Sequence, residues 1–308
     1  MLPKALCASG FAALNPTYNR FNPVPSVRVG RVEPQRGEAR HLPVNLRSHT
    51  MTRDDSRIRQ LGQALEAAER ILFITGAGLS ADSGLPTYRG LGGLYNGTTA
   101  EGLPIEAALS GPMLQRDPAL CWKYLAEIGR ACHGATPNAG HRAIAELQAR
   151  KPGCWVLTQN IDGFHRAAGS PAERLIEIHG QLAPLYCQAC GREAADAERR
   201  LAGPLPPRCD ACAGVLRPPV VLFEEMLPVE AVERLRRQQA IGFDLVLAVG
   251  TSASFGYILE PLLRCRTAGG FTVEINPATT ELAAWVDLHV PGRALDVLPQ
   301  AIGHISEQ

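Results

Sequence analysis

Short apolar runs alternate with segments of helical period along most of this chain. Ile58, Leu61, Leu65 and Ala68 recur at helical spacing within residues 56–70, which predicts an amphipathic helix. Ile71–Thr75 follows as a β-rich apolar run, the pattern of a strand buried on both faces. The same alternation continues down the chain. It predicts helices over 118–132 and 138–150, a strand over 155–158, a short helix over 165–168 and a strand over 175–178. Helices at 229–241 and 258–268 and strands at 245–249 and 271–275 extend the pattern. Residues 85–113, rich in Gly, Pro and Thr, read as loop with little regular structure. Strands alternating with helices predict an α/β fold, a doubly wound parallel sheet with helices on both faces.

Ligands of such sheets bind beyond the carboxyl ends of the strands. The predicted ends carry Gly76-Ala77-Gly78, Gln159-Asn160-Ile161-Asp162, His179-Gly180, Gly250-Thr251-Ser252 and Asn276, so these segments are expected to converge on one crevice. Gly76-x-Gly78-x-x-Ala81 fits the fingerprint of a dinucleotide-binding turn directly after a strand. The first glycine allows the tight turn, the second lets backbone approach a pyrophosphate, and Ala81 permits close helix packing. A hydride-transfer enzyme would next show a second strand ending in an acidic residue about 20 positions on. Here an irregular stretch follows, and the first carboxylate after Asp82 is Glu101. A dinucleotide is therefore expected, used for something other than hydride transfer.

Within these ends, amides at Gln159 and Asn160 suit sugar hydroxyls and carboxamides. Asp162 either accepts from such groups or caps the next helix through an Asx-type turn. His179, at the end of a strand, is placed to act as a general base near neutral pH. Arg89 either pairs with phosphate or is a solvated surface side chain. His141 and His165 fall on predicted helices and read as structural; His133, His289 and His304 carry no signal.

Cys187, Cys190, Cys209 and Cys212 form a Cys-x2-Cys-x18-Cys-x2-Cys array. Two such knuckles can present four thiolates to one tetrahedral zinc, and four sulfur ligands leave no position open for water, so the site is expected to be structural. The array lies between segments of the parallel-sheet pattern, so a second module is inserted into the fold. The other five of the nine cysteines (Cys7, Cys121, Cys132, Cys154, Cys265) are scattered and read as buried or free thiols of a reducing compartment.

Composition narrows the classes. With 308 residues, 45% hydrophobic, 20% charged and a net charge of +1, the chain suits a globular protein without an obligate nucleic-acid or membrane partner. No apolar run approaches the roughly 18 residues a bilayer span needs. Residues 1–50 differ: seven Lys and Arg stand against Glu33 and Glu38, with no hydrophobic period. They read as a disordered leader or a non-native upstream extension, with an organellar transit peptide as the alternative. A cytoplasmic location is expected otherwise.

The ordered set of motifs resembles the sirtuin family of NAD-dependent protein-lysine deacylases. The matching pieces are Gly76-Ala77-Gly78-Leu79-Ser80-Ala81-Asp82-Ser83-Gly84-Leu85-Pro86-Thr87-Tyr88-Arg89, Pro137-Asn138-x-x-His141, Thr158-Gln159-Asn160-Ile161-Asp162, His179-Gly180, the four cysteines, Gly250-Thr251-Ser252 and Ile275-Asn276. The resemblance covers about residues 54–302. It implies a Rossmann-like large domain (about 54–89, 134–184 and 216–308) and a small domain made of a helical insert (about 90–133) and a zinc ribbon (185–215). NAD and an acylated-lysine protein or peptide would enter the cleft between them, the peptide lying as a strand against Val220, Val221 and Phe223.

By resemblance, Gly76, Ala77, Gly78, Ser80, Tyr88 and Arg89 surround the phosphates and nearby ribose. Gln159, Asn160, Ile161 and Asp162 hold the nicotinamide end, and Gly250, Thr251, Ser252 and Asn276 the adenosine end. The catalytic set is His179, Asn160 and Asp162. The acyl oxygen attacks C1′ of the nicotinamide ribose, nicotinamide leaves, His179 helps remove a ribose hydroxyl proton, and water completes release of lysine and acyl-ADP-ribose. Mono-ADP-ribosyl transfer to protein would use the same NAD site and is the alternative.

Three departures stand out: Tyr88 for the usual Phe, Asp82 for the commoner Glu, and Glu224-Glu225 for Gly-Glu. The desuccinylase branch carries a Tyr-x-x-Arg pair on its helical insert, where this chain offers Leu125 and Ile128. Neutral acyl groups, acetyl or longer, are therefore expected. The sequence leaves oligomeric state open.

Overall fold

The computed structural model describes residues 53–85, 98–194 and 196–305. The leader at 1–50 and the site candidates Tyr88 and Arg89 lie outside the described residues.

The large sheet holds β1 (Ile71–Thr75), β2 (Cys154–Thr158), β3 (Leu175–Glu177), β7 (Leu245–Val249), β8 (Phe271–Ile275) and β9 (Leu288–Val290). All neighbours pair in parallel, in the order β3-β2-β1-β7-β8-β9. The strand order reverses between β1 and β7, where a doubly wound sheet opens a crevice. All five residues of β1 are buried, which explains its apolar run of Ile71 to Ile74. Ile71 and Phe73 face one core with helices α1 (Arg53–Ala67), α6 (Ala139–Arg150) and α11 (Ala294–Gly303). Leu72 and Ile74 face the other, with α9 (Val229–Ile241) and α10 (Gly256–Thr267).

A second layer is inserted. β4 (Leu185–Cys187), β5 (Glu193–Ala194) and β6 (Leu216–Arg217) form a small antiparallel sheet in the order β5-β4-β6. Helices α3 (Ile105–Ala108), α4 (Gly111–Arg116) and α5 (Pro118–Cys132) pack on it and share one apolar cluster with Leu185, Cys187, Cys209, Leu216, Val220 and Leu222. α5 starts where chemistry dictates: Pro118 needs no N–H partner in the first turn, and the Asp117 carboxylate accepts from Leu120 N–H at 3.1 Å. Trp122 on α5 is 1% exposed, and its indole Nε1–H donates to the Leu216 carbonyl at 2.9 Å, joining helix insert to small sheet. Burying such a side chain contributes about 2–3 kcal/mol.

Several elements differ from expectation. Residues 85–113, expected to be loop, carry α3 and the start of α4 within 105–113. Their Pro104, Ser110 and Pro112 act as helix-start residues, with Ser110 Oγ accepting from Met113 N–H at 3.1 Å. β9 is too short for a period to show, and α11 contains Pro299, which ordinarily argues against a helix interior. Among the described residues, Cys121, Cys154 and Cys265 are buried free thiols and Cys132 is partly buried; Cys7 lies outside the described residues. No helix among the described residues is long and apolar enough to cross a membrane.

Candidate active site

The loops after β1 and β7 nest at the reversal point. Gly76 N–H donates to the Val249 carbonyl at 3.1 Å and Gly78 N–H to the Gly250 carbonyl at 2.9 Å. Gly250 has φ +59°, in the left-handed region, and a Cβ there would lie 2.4 Å from Leu79 N. A Cβ on Gly78 would lie 2.7 Å from Gly250 Cα. The space Gly78 leaves is therefore taken by the second loop, a packing demand separate from any approach of a phosphate.

The polar strand ends meet around this nest. Gln159 Nε2 donates to Thr251 Oγ1 at 2.8 Å. Asn160 is buried, and its Nδ2 donates to the Gly76 carbonyl at 3.0 Å and to Ser80 Oγ at 3.1 Å. Ser80 Oγ donates to Asp162 Oδ2 at 2.7 Å, while Asp162 Oδ1 accepts from Phe164 N–H at 2.9 Å. Asp162 thus closes the Asx-type turn with one oxygen, as the helix-cap reading expected, and joins the polar network through Ser80 with the other. Burial pushes its carboxyl above the ordinary range, against the bonds from Phe164 and Ser80.

Beneath the network lies a histidine pair. His141 Nδ1 faces the Asn138 backbone N–H at 3.3 Å and must accept, so Nε2 carries the proton and points at Ser80 Oγ, 3.4 Å away. The proton direction then runs from His141 through Ser80 to Asp162. His165 Nε2 meets Thr75 Oγ1 at 2.9 Å, and its ring centroid lies 5.1 Å from that of His141. Burial lowers His141 to about 4 and His165 to about 3, with Arg142 and His141 respectively adding repulsion.

These two histidines give a prediction with a definite sign. Unfolded, each titrates near about 6.5. The unfolded chain therefore takes up protons that the fold refuses, and stability falls as pH drops from about 6.5 towards the lowered values. The slope is expected to be about 1 kcal/mol per pH unit for each. Urea midpoints from about pH 7 to about pH 5 check it; a flat midpoint would show that both rings charge freely in the fold.

His179 stands at the end of β3. Its Nδ1 is 3.0 Å from the Gln159 carbonyl, which can only accept, so Nδ1 carries the proton and Nε2 is the basic atom. Nε2 lies 2.7 Å from the Tyr257 hydroxyl. Burial lowers His179 to about 4, opposed by the Gln159 carbonyl. From this ring the backbone leads to the outer wall. The His179 carbonyl accepts from Val221 N–H at 2.9 Å, Gly180 bridges Val220, and Phe223 N–H reaches the Leu109 carbonyl at 2.9 Å. Val220 is buried, whereas Val221 and Phe223 are partly exposed.

The remaining candidates sit at the margins. Ala77 opens the short helix α2 (Ala77–Ser80), and the Ile161 carbonyl accepts from Leu182 N–H at 3.3 Å. Ser252 is exposed, its hydroxyl 2.7 Å from that of Ser254. Asn276 Oδ1 accepts from Ala278 N–H at 3.2 Å, next to Ile275, whose carbonyl takes Gly250 N–H. Sequence reasoning did not single out Phe255 or Tyr257, which follow the Gly-Thr-Ser motif without a pattern of their own.

The four cysteines form a separate centre on the small sheet. Their sulfurs all lie within 4.8 Å of one another, with Cys187–Cys212 at 3.5 Å and Cys190–Cys209 at 3.8 Å. Four sulfurs at zinc's bond length of about 2.3 Å stand roughly 3.8 Å apart at tetrahedral corners, whereas a disulfide needs about 2.05 Å. The donor set therefore fits one structural zinc. Gly214 is required beside it, since a Cβ there would sit 2.8 Å from Cys187 Sγ.

The Sir2 family profile matches residues 76–255, more than half of the chain and most of the geometry above; Thr75, Tyr257 and the residues around Asn276 fall outside it. The chain belongs to the Sir2 family. NAD-dependent protein deacylase 2 of Pseudomonas aeruginosa is 72% identical over 250 residues, 81% of this chain and 98% of that protein. Its namesake in Pseudomonas syringae pv. tomato is 63% identical over 246 residues, 80% and 99% of the two chains. Among solved structures, a Sir2 homologue in complex with NAD superposes with TM-score 0.69 at 31% identity, covering 80% of this chain and 93% of that one. Sir2Af2 bound to a myristoylated histone peptide gives TM-score 0.66 at 27% identity over 82% and 97%. The Sir2 fold here is the six-stranded Rossmann-like sheet plus the small antiparallel sheet with its four-cysteine centre.

Proposed function

We propose that this Sir2 chain removes neutral acyl groups from lysine side chains of cytoplasmic proteins, with His179 as the general base. NAD-dependent protein deacylation is the activity named for relatives at 72% and 63% identity, and the chain is an NAD-dependent protein deacylase. The observation that carries the mechanistic reading is the tautomer of His179. Its Nδ1–H is held by the Gln159 carbonyl, leaving Nε2 as the proton acceptor at the crevice where the strand ends meet.

The donor set suits NAD. Buried Asn160 and Ser80, Asp162 and Gln159 offer amide, hydroxyl and carboxylate groups for a sugar and a carboxamide. We assign that end of the cofactor to Gln159, Asn160, Ile161 and Asp162, and the phosphates and adenosine end to Gly76, Ala77, Gly78, Ser80, Gly250, Thr251, Ser252 and Asn276, with Tyr88 and Arg89. When bound, NAD supplies a glycosidic bond whose cleavage releases nicotinamide and opens a sugar carbon to the acyl oxygen. The chain's own part is to orient the sugar, exclude water and hold a proton. His179 takes that proton at Nε2, and the Gln159 carbonyl at Nδ1 stabilises the imidazolium.

The two insertions, 90–133 and 185–215, act in this reading as one small domain that walls the substrate. Leu125 and Ile128 are 3% and 7% exposed in the same apolar cluster as Val220 and Leu222. Arg217, buried beside them, is already paired with Glu225 at 2.7 and 2.9 Å. A substrate carboxylate would enter this wall unpaired, a burial that costs several kcal/mol. Acetyl-lysine peptide should therefore turn over on the order of a hundredfold faster than succinyl-lysine peptide in kcat/KM. Equal rates, or a faster succinyl peptide, would overturn the neutral-acyl assignment. A panel of acyl peptides with NAD, read by mass spectrometry, tests the whole reading: acyl-ADP-ribose supports it, and labelled protein instead points to ADP-ribosyl transfer.

A further inference from the structure

Tyr257 occupies the one atom of His179 that the reaction needs. The Gln159 carbonyl fixes the proton on Nδ1, so Nε2 presents a single in-plane lone pair, and the Tyr257 hydroxyl must be donating into it at 2.7 Å. Any hydroxyl that delivers a proton to Nε2 must either displace the phenol or pass the proton through it.

The ring is held against displacement. It stacks on Phe255, with centroids 5.5 Å apart and planes within 2°. Both rings set edges against the imidazole, at 6.1 Å for Phe255 and 6.0 Å for Tyr257. Tyr257 is the second residue of α10, next to fully buried Ile258, so its backbone is fixed as well. The phenol is only partly buried, and Gly256 before it is exposed, with nothing within 4 Å of where its Cβ would be. A clamped phenol at an open rim, bonded to the base, is placed to be touched by substrate.

We propose that Tyr257 is a catalytic proton relay between a substrate sugar hydroxyl and His179, an inference that rests on the deacylase reading above. The step balances. The sugar O–H breaks and its proton goes to Tyr257 Oη. The original Tyr257 proton goes to His179 Nε2, making the imidazolium. The sugar oxygen uses the freed electron pair to bond the acyl carbon, and the electron pair displaced from that carbon moves onto the lysine nitrogen. Tyr257 ends with the proton count it began with. A phenol suits this because its oxygen accepts while its hydrogen donates, and nothing is oxidised or reduced.

The test separates two partial reactions in wild type, Tyr257→Phe and His179→Ala. The first is exchange of labelled nicotinamide into NAD in the presence of acetyl-lysine peptide, which needs glycosidic cleavage and its reversal but no base. The second is acyl-ADP-ribose formation, which needs the proton moved. Tyr257→Phe keeps the ring and its stack. It is expected to exchange within about threefold of wild type while acyl-ADP-ribose formation falls about a hundredfold; His179→Ala should show the same split with a larger loss of product, about a thousandfold. Product formation within about threefold of wild type would overturn the relay and leave the phenol as a cap that substrate displaces. Parallel loss of both partial reactions would also overturn it, as a structural role. If wild type itself performs neither reaction, the deacylase reading fails and the relay falls with it.

Discussion

His179→Ala is expected to lower acyl-ADP-ribose formation by about a thousandfold, the scale of losing a well-placed general base. The geometry argues for so large an effect. The imidazole is fixed at both nitrogens, by the Gln159 carbonyl and the Tyr257 hydroxyl, and flanked by two aromatic edges. Burial keeps it neutral well below its ordinary range, so the basic form is present across neutral and mildly acidic pH. The loss should leave the fold intact, because His179 belongs to none of the buried apolar clusters; stability should drop by only about 1–2 kcal/mol for the lost bonds and ring contacts. Mass spectrometry of products, with thermal unfolding of the same samples, checks both halves. Activity near wild type in a folded variant would remove His179 from the mechanism.

Loss of the zinc centre is expected to be nearly as costly, although it lies away from the strand ends. Structural zinc binding is worth about 10–16 kcal/mol in small domains, and that free energy is folding free energy. Cys187 and Cys209 are not merely ligands. They pack in one cluster with Trp122, Leu125, Ile128, Val220 and Leu222, the wall assigned to the acyl group. Cys187→Ser should strip the metal, loosen residues 185–217 and the helices packed on them, and lower deacylation by at least about a hundredfold. The parallel sheet should persist, since its two cores contain no residue of that cluster. Metal analysis and hydrogen exchange distinguish the outcomes. Full activity in a zinc-free variant would show that the four thiols do not hold the wall together.

Much of this architecture was legible because physical chemistry acts locally on it. A parallel strand buried on both faces is mostly apolar and β-branched, so the runs of β1, β7 and β8 read clearly, although β1 and β8 carry buried polar Thr75, Thr272 and Glu274. The helix expected from Asn138 begins one residue later, because Asn138 is its cap: its side chain accepts from Gly140 and His141 N–H, and its backbone N–H donates back to His141 Nδ1. The cysteine spacing reported a tetrahedron that the sulfur distances reproduce.

What escaped was mostly set by distant partners. The two-residue strands β5 and β6 have no period to read. Gly78 and Gly250 are glycines because each lies against the other, across some 170 residues of chain. Tyr257 reaches His179 only because the sheet brings the end of β7 towards that of β3. Nothing in either neighbourhood marks that pair.

The most direct measurement follows nicotinamide and NAD together in purified, zinc-loaded protein, with and without acetyl-lysine peptide. Nicotinamide is expected to appear only with the peptide, one molecule for each acetyl-ADP-ribose and each free lysine formed. Nicotinamide release that ignores the peptide, or NAD returned as its reduced form, would contradict this expectation.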